Sequence, residues 1–334
     1  MKTFMIERYG DKAGVQAAEM PDPQVAADDV LVRIHAASIN PLDLKIRDGD
    51  FKAILPYRLP LILGNDLAGV VVRAGSAVTR FAVGDEVYAR PDKDRIGTFA
   101  ELIAVHQDDV AIKPATLTMQ EAASLPLVAL TSWQALVERA KVQPGQKVLI
   151  HAGSGGLGTI AVQLAKQLGA HVAATASTAK VDLVKKLGAD VVVDYRKQDF
   201  EEVLDGYDVI LDSLGGETLE KSLRVLKPGG VVISVAGPPD VAFARELGAN
   251  AILRLAMSAL SFKTRRRAQR RNVTYSFLFM KASGDQLREL TSLIEAGKIR
   301  PVVDRVFPFD QTREAMEYVE KGRAKAGKVV VTMR

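Results

Sequence analysis

Between Val30 and about Pro114 the apolar positions come in short or alternating runs broken by turn residues: VLVRIHAASIN, LAGVVVRAG, GDEVYAR and GTFAELIAVH. Such short runs, alternating with a period of two, predict strands, so this region reads as an all-β unit. After Leu117 the period lengthens. MQEAASLPLVALTSWQALVERA reads as helical, with Thr118 placed to cap its first turn. A third texture follows in KVLIHAG, HVAATAS, DVVVDY, YDVILDSLG and GVVISVAG, separated by the helical segments LGTIAVQLAKQLG, KVDLVKKLG, DFEEVLD and ETLEKSLRVLKPGG. Val- and Ile-rich strands alternating with helices predict βαβ units and a parallel, doubly wound sheet. The glycines closing ETLEKSLRVLKPGG suit a helix C-cap. The tail holds VTYSFLFM, a helix in GDQLRELTSLIEAG, then IRPVVDRVFPF, a helix in QTREAMEYVEKG and a closing strand in GKVVVTM. It is expected to return in part to the first domain.

At 334 residues the chain exceeds the size at which one hydrophobic core usually stops growing, so two domains are expected. There is no Cys, which excludes disulfides, a thiolate nucleophile and any zinc site with sulfur ligands. MKTFMIERYGDKAG lacks the apolar core of a secretory signal and reads as a first strand. No run reaches the length of a membrane span, so the cytoplasm is the expected location and no stable membrane insertion is expected. A net charge of +5 is mild, but KTRRRAQRR, residues 263–271, concentrates six Lys and Arg in nine positions.

HAGSGGLGT follows a predicted strand and opens a helix, and Gly153, Gly155 and Gly158 have the spacing of a dinucleotide-binding turn, with Ser154, Gly156 and Leu157 between them. Without side chains, such a turn lets a pyrophosphate reach backbone N–H groups at the helix N-terminus. The alternative is a glycine-rich turn in a ligand-free α/β domain. An NAD enzyme usually places a carboxylate at the end of the second strand. Here that place holds Thr175, Ser177, Thr178 and Lys180, and the first carboxylate after them is Asp182. Hydroxyls and an ammonium would bind a 2′-phosphate that a carboxylate would repel, so NADPH is the expected cofactor. Tyr195 and Arg196, after the third strand, are placed to flank the adenine and phosphate; Lys180 also reads as an exposed lysine at a helix start.

NPLDLKIRDG, GNDLAGVV, AVGDEVYA, GTFAELIAV, LTSWQAL, GQKVLIHAGSGGLGTIAVQLAK and GRAKAGKVVV occur in this order along nearly the whole chain. In these the sequence resembles the zinc-independent quinone oxidoreductases and enone reductases of the medium-chain dehydrogenase/reductase superfamily. The resemblance implies an α/β protein with a β-rich GroES-like substrate domain, residues 1–122 and 273–334, around a Rossmann domain, residues 123–272. It further implies hydride transfer from NADPH to a quinone or activated alkene, and a homodimer paired through NVTYSFLFM. By the same resemblance Thr131 contacts the nicotinamide end, Gly237 borders the cofactor after the fifth strand, backbone groups from Phe277 to Phe279 hold the carboxamide, and Arg323 and Lys325 reach the 2′-phosphate. Solvated helix-terminal cations are the other reading of that last pair.

Zinc-dependent relatives place ligands near Asn40, Asn65 and Asp66. This chain has an Asn and LILGNDLAGVV there, and its histidines, His35, His106, His151 and His171, lie far apart. Catalytic zinc is therefore not expected; Asn65 and Asp66 read as a turn lining the cleft. Without a metal, hydride can still reach the β-carbon of an enone if the developing enolate oxygen meets a donor. Asn40, Lys45 and Tyr57 are the candidates, Asn40 first, although Asn40 also reads as a cap for the turn at Pro41 and Lys45 as a surface partner of Asp43 or Asp48. Rival readings are an NADPH-binding sensor without turnover, a zinc-type alcohol dehydrogenase, and a membrane- or RNA-associated protein using the basic run. The basic run lacks interleaved aromatics, so no nucleic-acid partner is expected.

Overall fold

The computed structural model describes residues 1–10 and 14–333. Contacts divide the chain into two units, Met1–Leu130 with Lys281–Arg334, and Thr131–Met280.

The first unit begins with β1 (Lys2–Ile6), β2 (Gln16–Glu19), β3 (Asp29–Ile39), α1 (Pro41–Asp48), β4 (Leu61–Ile62) and β5 (Asp66–Ala74), followed by β6 (Glu86–Ala89), β7 (Leu102–His106), β8 (Val110–Ile112), α2 (Met119–Ala123) and the start of α3 (Pro126–Trp133). Strand β3 is the spine of its larger sheet, pairing antiparallel with β5 and β7. Alternate residues Val30, Val32 and Ile34 of β3 are buried with Leu67, Val71 and Val87 in one apolar core. Each such side chain contributes about 1.5–3 kcal/mol by leaving water. The expected cap forms: Thr118 Oγ1 accepts from Glu121 N at 3.2 Å, and Glu121 Oε2 accepts from Thr118 N at 2.9 Å. The helical stretch that follows is divided by Pro126, which cannot supply the N–H that a continuous helix needs.

The second unit is the doubly wound sheet: β9 (Lys147–Ile150), α4 (Gly156–Gln167), β10 (His171–Ala176), α5 (Val181–Lys186), β11 (Val191–Asp194), α6 (Phe200–Val203), β12 (Tyr207–Asp212), α7 (Gly216–Val225), β13 (Leu226–Ser234), α8 (Val241–Glu246), α9 (Ala251–Arg270) and β14 (Thr274–Phe277). Its strands are parallel, in the order β11-β10-β9-β12-β13-β14, the Rossmann arrangement with β14 at an edge. One expectation fails locally. Helix α7 stops at Val225, and Lys227-Pro228-Gly229-Gly230 lies within β13, not at a helix cap, because β13 pairs with β12 at Leu226 and again from Val231, its register shifting across the residues between.

The tail returns to the first unit through α10 (Gly284–Glu295), β15 (Val303–Pro308), α11 (Thr312–Glu320) and β16 (Lys328–Thr332). Strand β16 pairs antiparallel with β3, setting Val329 against Ile39 and Val330 against Ser38. The sequence places domain junctions after residues 122 and 272; in the structure they fall after Leu130 and Met280. Leu127 N donates to Asp66, which ties the start of α3 to the β-rich unit, and β14 is held in the parallel sheet by β13.

Candidate functional site

In the first unit the strand registers bring distant polar residues together. Ser38 stands opposite Asp66 across β3 and β5, and opposite Val330 across β3 and β16. Asn40 and Lys328 therefore lie just beyond the paired ends. Gly64 makes the turn into β5: its φ is +105°, and a Cβ there would lie 2.4 Å from Thr98 Oγ1, so only glycine fits.

Asp66 collects four donors. Its Oδ2 accepts from Ser38 Oγ at 2.7 Å, Asn40 Nδ2 at 2.9 Å and Lys328 Nζ at 3.1 Å, and its Oδ1 accepts from Leu127 N at 2.7 Å. Lys328 Nζ also donates to Asn40 Oδ1. A second carboxylate stands behind this group, with Asp43 accepting from Asn65 Nδ2 at 2.6 Å and from Asn40 N at 2.7 Å. Arg90 Nη2 reaches Asn65 Oδ1 at 3.4 Å and Nη1 donates to Pro91 O at 2.8 Å. All seven side chains belong to buried residues. Burial pushes the Asp43 carboxyl up to about 6, against the hydrogen bonds from Asn65 and Asn40, and it draws the Arg90 guanidinium down.

This arrangement redirects two expectations. Asn40 is 1 % exposed, with its N–H groups aimed at Asp66 and Ser38 O and its oxygen at Lys328, so its amide faces the network. Asn65 and Asp66 are not a turn lining a cleft but are wholly buried. A zinc ion does not fit these residues: the position offers two amides and a carboxylate already bound to an ammonium, and no thiolate or imidazole. Among the described residues no group of three or more His, Asp or Glu is placed to hold a metal ion. Lys45 is exposed on α1. Tyr57, half-buried, donates from its hydroxyl to Lys93 O at 2.7 Å, and burial raises its phenol. Arg323 and Lys325 are exposed ahead of β16.

In the second unit, the turn from β9 into α4 has the geometry of a phosphate cradle. A Cβ on Gly153 would lie 2.8 Å from Ala174 Cβ, and one on Gly158 would lie 2.2 Å from Ala152 O. Gly155 is the N-cap of α4 and provides no capping side chain, so N–H groups of the first turn are available to an anion, and Ser154, Gly156 and Leu157 are only partly buried. Thr175 serves the loop itself: it is buried, and its Oγ1 accepts from Ala152 N at 3.0 Å. His151 braces the loop against α7 through Ser222 Oγ at 2.8 Å, and burial pushes its imidazole down to about 4.

Ser177, Thr178 and Lys180 follow the end of β10, and Tyr195 is exposed just past β11. Between them lies a carboxylate that sequence reasoning missed. Asp194 ends β11 level with Ala176, and the Thr178 hydroxyl beside it holds its carboxyl below the usual range. Thr131 is buried on α3, and the Gly237 N–H donates to Ser234 Oγ at 2.7 Å. Phe277 spends its N–H on Asp240 Oδ2 at 3.0 Å and its carbonyl on Arg139 Nη1 at 3.0 Å, while the Phe279 ring lies 5.8 Å from that of Phe243.

Comparison with known proteins agrees with both units. Residues 26–115 match the alcohol dehydrogenase GroES-like domain, and residues 187–331 match the zinc-binding dehydrogenase family. The chain is 36% identical over 340 residues to the chloroplastic NADPH-dependent alkenal/one oxidoreductase of Arabidopsis thaliana, covering 97% of this chain and 78% of that protein. It is 38% identical over 345 residues to the 2-methylene-furan-3-one reductase of Solanum lycopersicum, covering 99% and 79%. The chain belongs to the quinone oxidoreductase and enone reductase family of the medium-chain dehydrogenase/reductases. A solved member, the quinone oxidoreductase from Coxiella burnetii, superposes with a TM-score of 0.87 at 30% identity over 100% of this chain and 99% of its own.

Proposed function

We propose that the protein is an NADPH-dependent, zinc-independent oxidoreductase that reduces a quinone or the β-carbon of an α,β-unsaturated carbonyl. The observation that carries this reading is the glycine-lined turn from β9 into α4, where added side chains would collide with Ala174 and Ala152. NADPH bound there would supply a hydride. The chain's own part is to bind and orient: first-turn N–H groups of α4 take the pyrophosphate, Ser177, Thr178 and Lys180 take the 2′-phosphate, and Arg323 and Lys325 are kept as further phosphate ligands. Thr131, Gly237 and the Phe277–Phe279 segment border the nicotinamide, with Tyr195 beside the adenine.

On the substrate side we assign Asn40 a positioning role, because its amide is spent on Asp66, Ser38 and Lys328. Tyr57 stays protonated, since burial raises its phenol, and would serve the developing enolate oxygen by turning its O–H from Lys93 O to the substrate; Lys45 is the exposed cation nearest to Asn40 in sequence. The α-carbon then takes its proton from water. A homodimer through the edge strand β14 and a cytoplasmic setting complete the reading. An unpaired edge invites a second copy, no described helix is long and apolar enough to cross a membrane, and a chain without Cys suits a reducing compartment.

The test is NADPH oxidation against a panel of quinones, enones and alkenals, with product analysis that separates alkene reduction from semiquinone formation. Tight NADPH binding without turnover on any acceptor would make the protein a sensor and overturn the proposal.

A further inference from the structure

Helix α9 packs onto the second unit through one narrow stripe, Met257, Ser261 and Ala268. Its opposite side is bare and apolar in the N-terminal half: Ile252 is 81% exposed, Leu255 73%, Leu260 64% and Phe262 55%. At 3.6 residues per turn, Ile252, Leu255 and Ala259 line up with Lys263, Arg266 and Arg270, so the apolar turns run directly into basic turns along the same side. Residues 250–272 carry seven Lys and Arg and no carboxylate. Two of these cations are engaged at home, Arg267 with Glu220 of α7, and Arg265 with Ser258 Oγ at 3.0 Å and Ser261 Oγ at 3.1 Å. Lys263, Arg266, Arg270 and Arg271 are exposed, and the Arg266 guanidinium lies 5.9 Å from the Phe262 ring centre.

We propose that this side of α9 is a docking face for an anionic lipid surface, on which the helix lies flat. Independently of the reductase reading, the two halves of the face ask for one occupant with two properties. Ile252, Leu255, Leu260 and Phe262 need an apolar phase, and Lys263, Arg266, Arg270 and Arg271 need dense negative charge directly beside it. The boundary between acyl chains and anionic headgroups supplies both. A second copy of α9 would cover the apolar turns but set like charges against each other, with no acid on the helix to neutralise them. An RNA would satisfy the cations and leave the aliphatic side chains in water. The helix is not of a kind to cross the bilayer, which agrees with surface binding.

The full chain is to be sedimented with phosphatidylcholine vesicles, with and without about one-third phosphatidylglycerol. The expected result is retention on the anionic vesicles at least about tenfold above that on neutral ones, weakening as salt is raised. Both Arg266→Glu/Arg270→Glu and Leu255→Glu/Leu260→Glu should abolish it while leaving thermal stability and NADPH oxidation unchanged, because all four side chains are exposed. The proposal is overturned by absent retention on anionic vesicles or by equal retention on neutral ones. Undiminished retention of Leu255→Glu/Leu260→Glu overturns it as well, since charge alone would then suffice. So does self-association lost in that variant, or RNA binding lost in the arginine variant, when vesicles are not bound.

Discussion

Lys328 Nζ lies 3.1 Å from Asp66 Oδ2, joining the first residue of the last strand to a carboxylate 262 positions earlier, with side chains 6% and 0% exposed. A pair this deep is held by its surroundings: Ser38, Asn40 and Leu127 also donate to the same carboxylate. Removing one partner should leave a buried charge without compensation, while removing both should be far milder.

Lys328→Met is therefore expected to cost about 3–5 kcal/mol of stability in chemical denaturation. Asp66→Asn should cost a similar amount. The double variant should fall short of the sum by about 2 kcal/mol or more. Additive losses would show that the two groups do not act as a pair.

Asp43 gives the same network a pH dependence. Its carboxyl sits at about 6 in the folded protein against an ordinary 3.8, so between those values the folded state holds a proton that the unfolded chain has released. Stability from this group therefore declines as pH rises from about 4 to about 6, by at most about 3 kcal/mol, and the penalty is complete above that window. Asp29, Asp190 and Asp199 are shifted downward and act in the opposite sense at lower pH, so the comparison must be made against Asp43→Asn. The stability difference, wild type minus variant, should fall across pH 4 to 6 and be flat above about 7. A flat difference throughout would refute the shifted carboxyl.

Much of the fold is legible along the chain because its signals are local. The Val- and Ile-rich runs at 147–150, 171–176, 191–194, 207–212 and 226–234 each become parallel strands, and Thr118 caps the helix it precedes. What escaped depends on pairing. Lys227-Pro228-Gly229-Gly230 has the composition of a turn, yet it lies inside β13 as an irregularity between Leu226 and Val231, both of which pair with β12. Lys328 looks like an ordinary charged flank of a Val run until the register of β16 on β3 sets it beside Asn40. Asn40 stands out in the sequence beside Pro41, but the direction of its amide does not, because that is fixed by Asp66 from another strand. Asp194 was passed over for the same reason, since only the pairing of β10 with β11 brings it level with Ala176.

Tyr57 and Asn40 should part company under substitution. Tyr57→Phe removes one hydrogen bond to Lys93 O, worth about 1 kcal/mol, and if the phenol serves the enolate oxygen it should lower kcat at least about tenfold with little change in Tm. Asn40→Ala should instead lower Tm, because it strips donors from Asp66 and an acceptor from Lys328. A Tyr57→Phe enzyme with unchanged kcat would remove Tyr57 from the chemistry.

The glycine loop separates shape from chance. A Cβ at residue 155 meets Ala152 O at 3.3 Å, a contact that a small shift relieves, whereas at residue 158 it meets the same oxygen at 2.2 Å. Gly155→Ala is therefore expected to bind NADPH within a few-fold of wild type. Gly158→Ala should raise Kd by tenfold or more, roughly 1.4 kcal/mol, as measured by nucleotide fluorescence titration. Equal effects at the two positions would mean that the turn is not held in this shape when nucleotide binds.

On the proposed reading, Lys180 and Asp194 together decide which nucleotide the second unit prefers. Lys180→Ala should weaken NADPH by about tenfold and leave NADH almost unchanged, and the difference should shrink as salt screens the phosphate contact. Asp194 stays ionised at neutral pH because the Thr178 hydroxyl beside it, the Arg196 N–H and nearby cations favour its charged form. If a 2′-phosphate binds near these residues, Asp194→Asn removes a repulsion and should tighten NADPH a few-fold without affecting NADH. The opposite result, a sharp loss of NADH affinity in Asp194→Asn, would make Asp194 the ribose-binding carboxylate and the protein an NADH enzyme. Titrating both variants with both nucleotides at low and high salt separates the two outcomes.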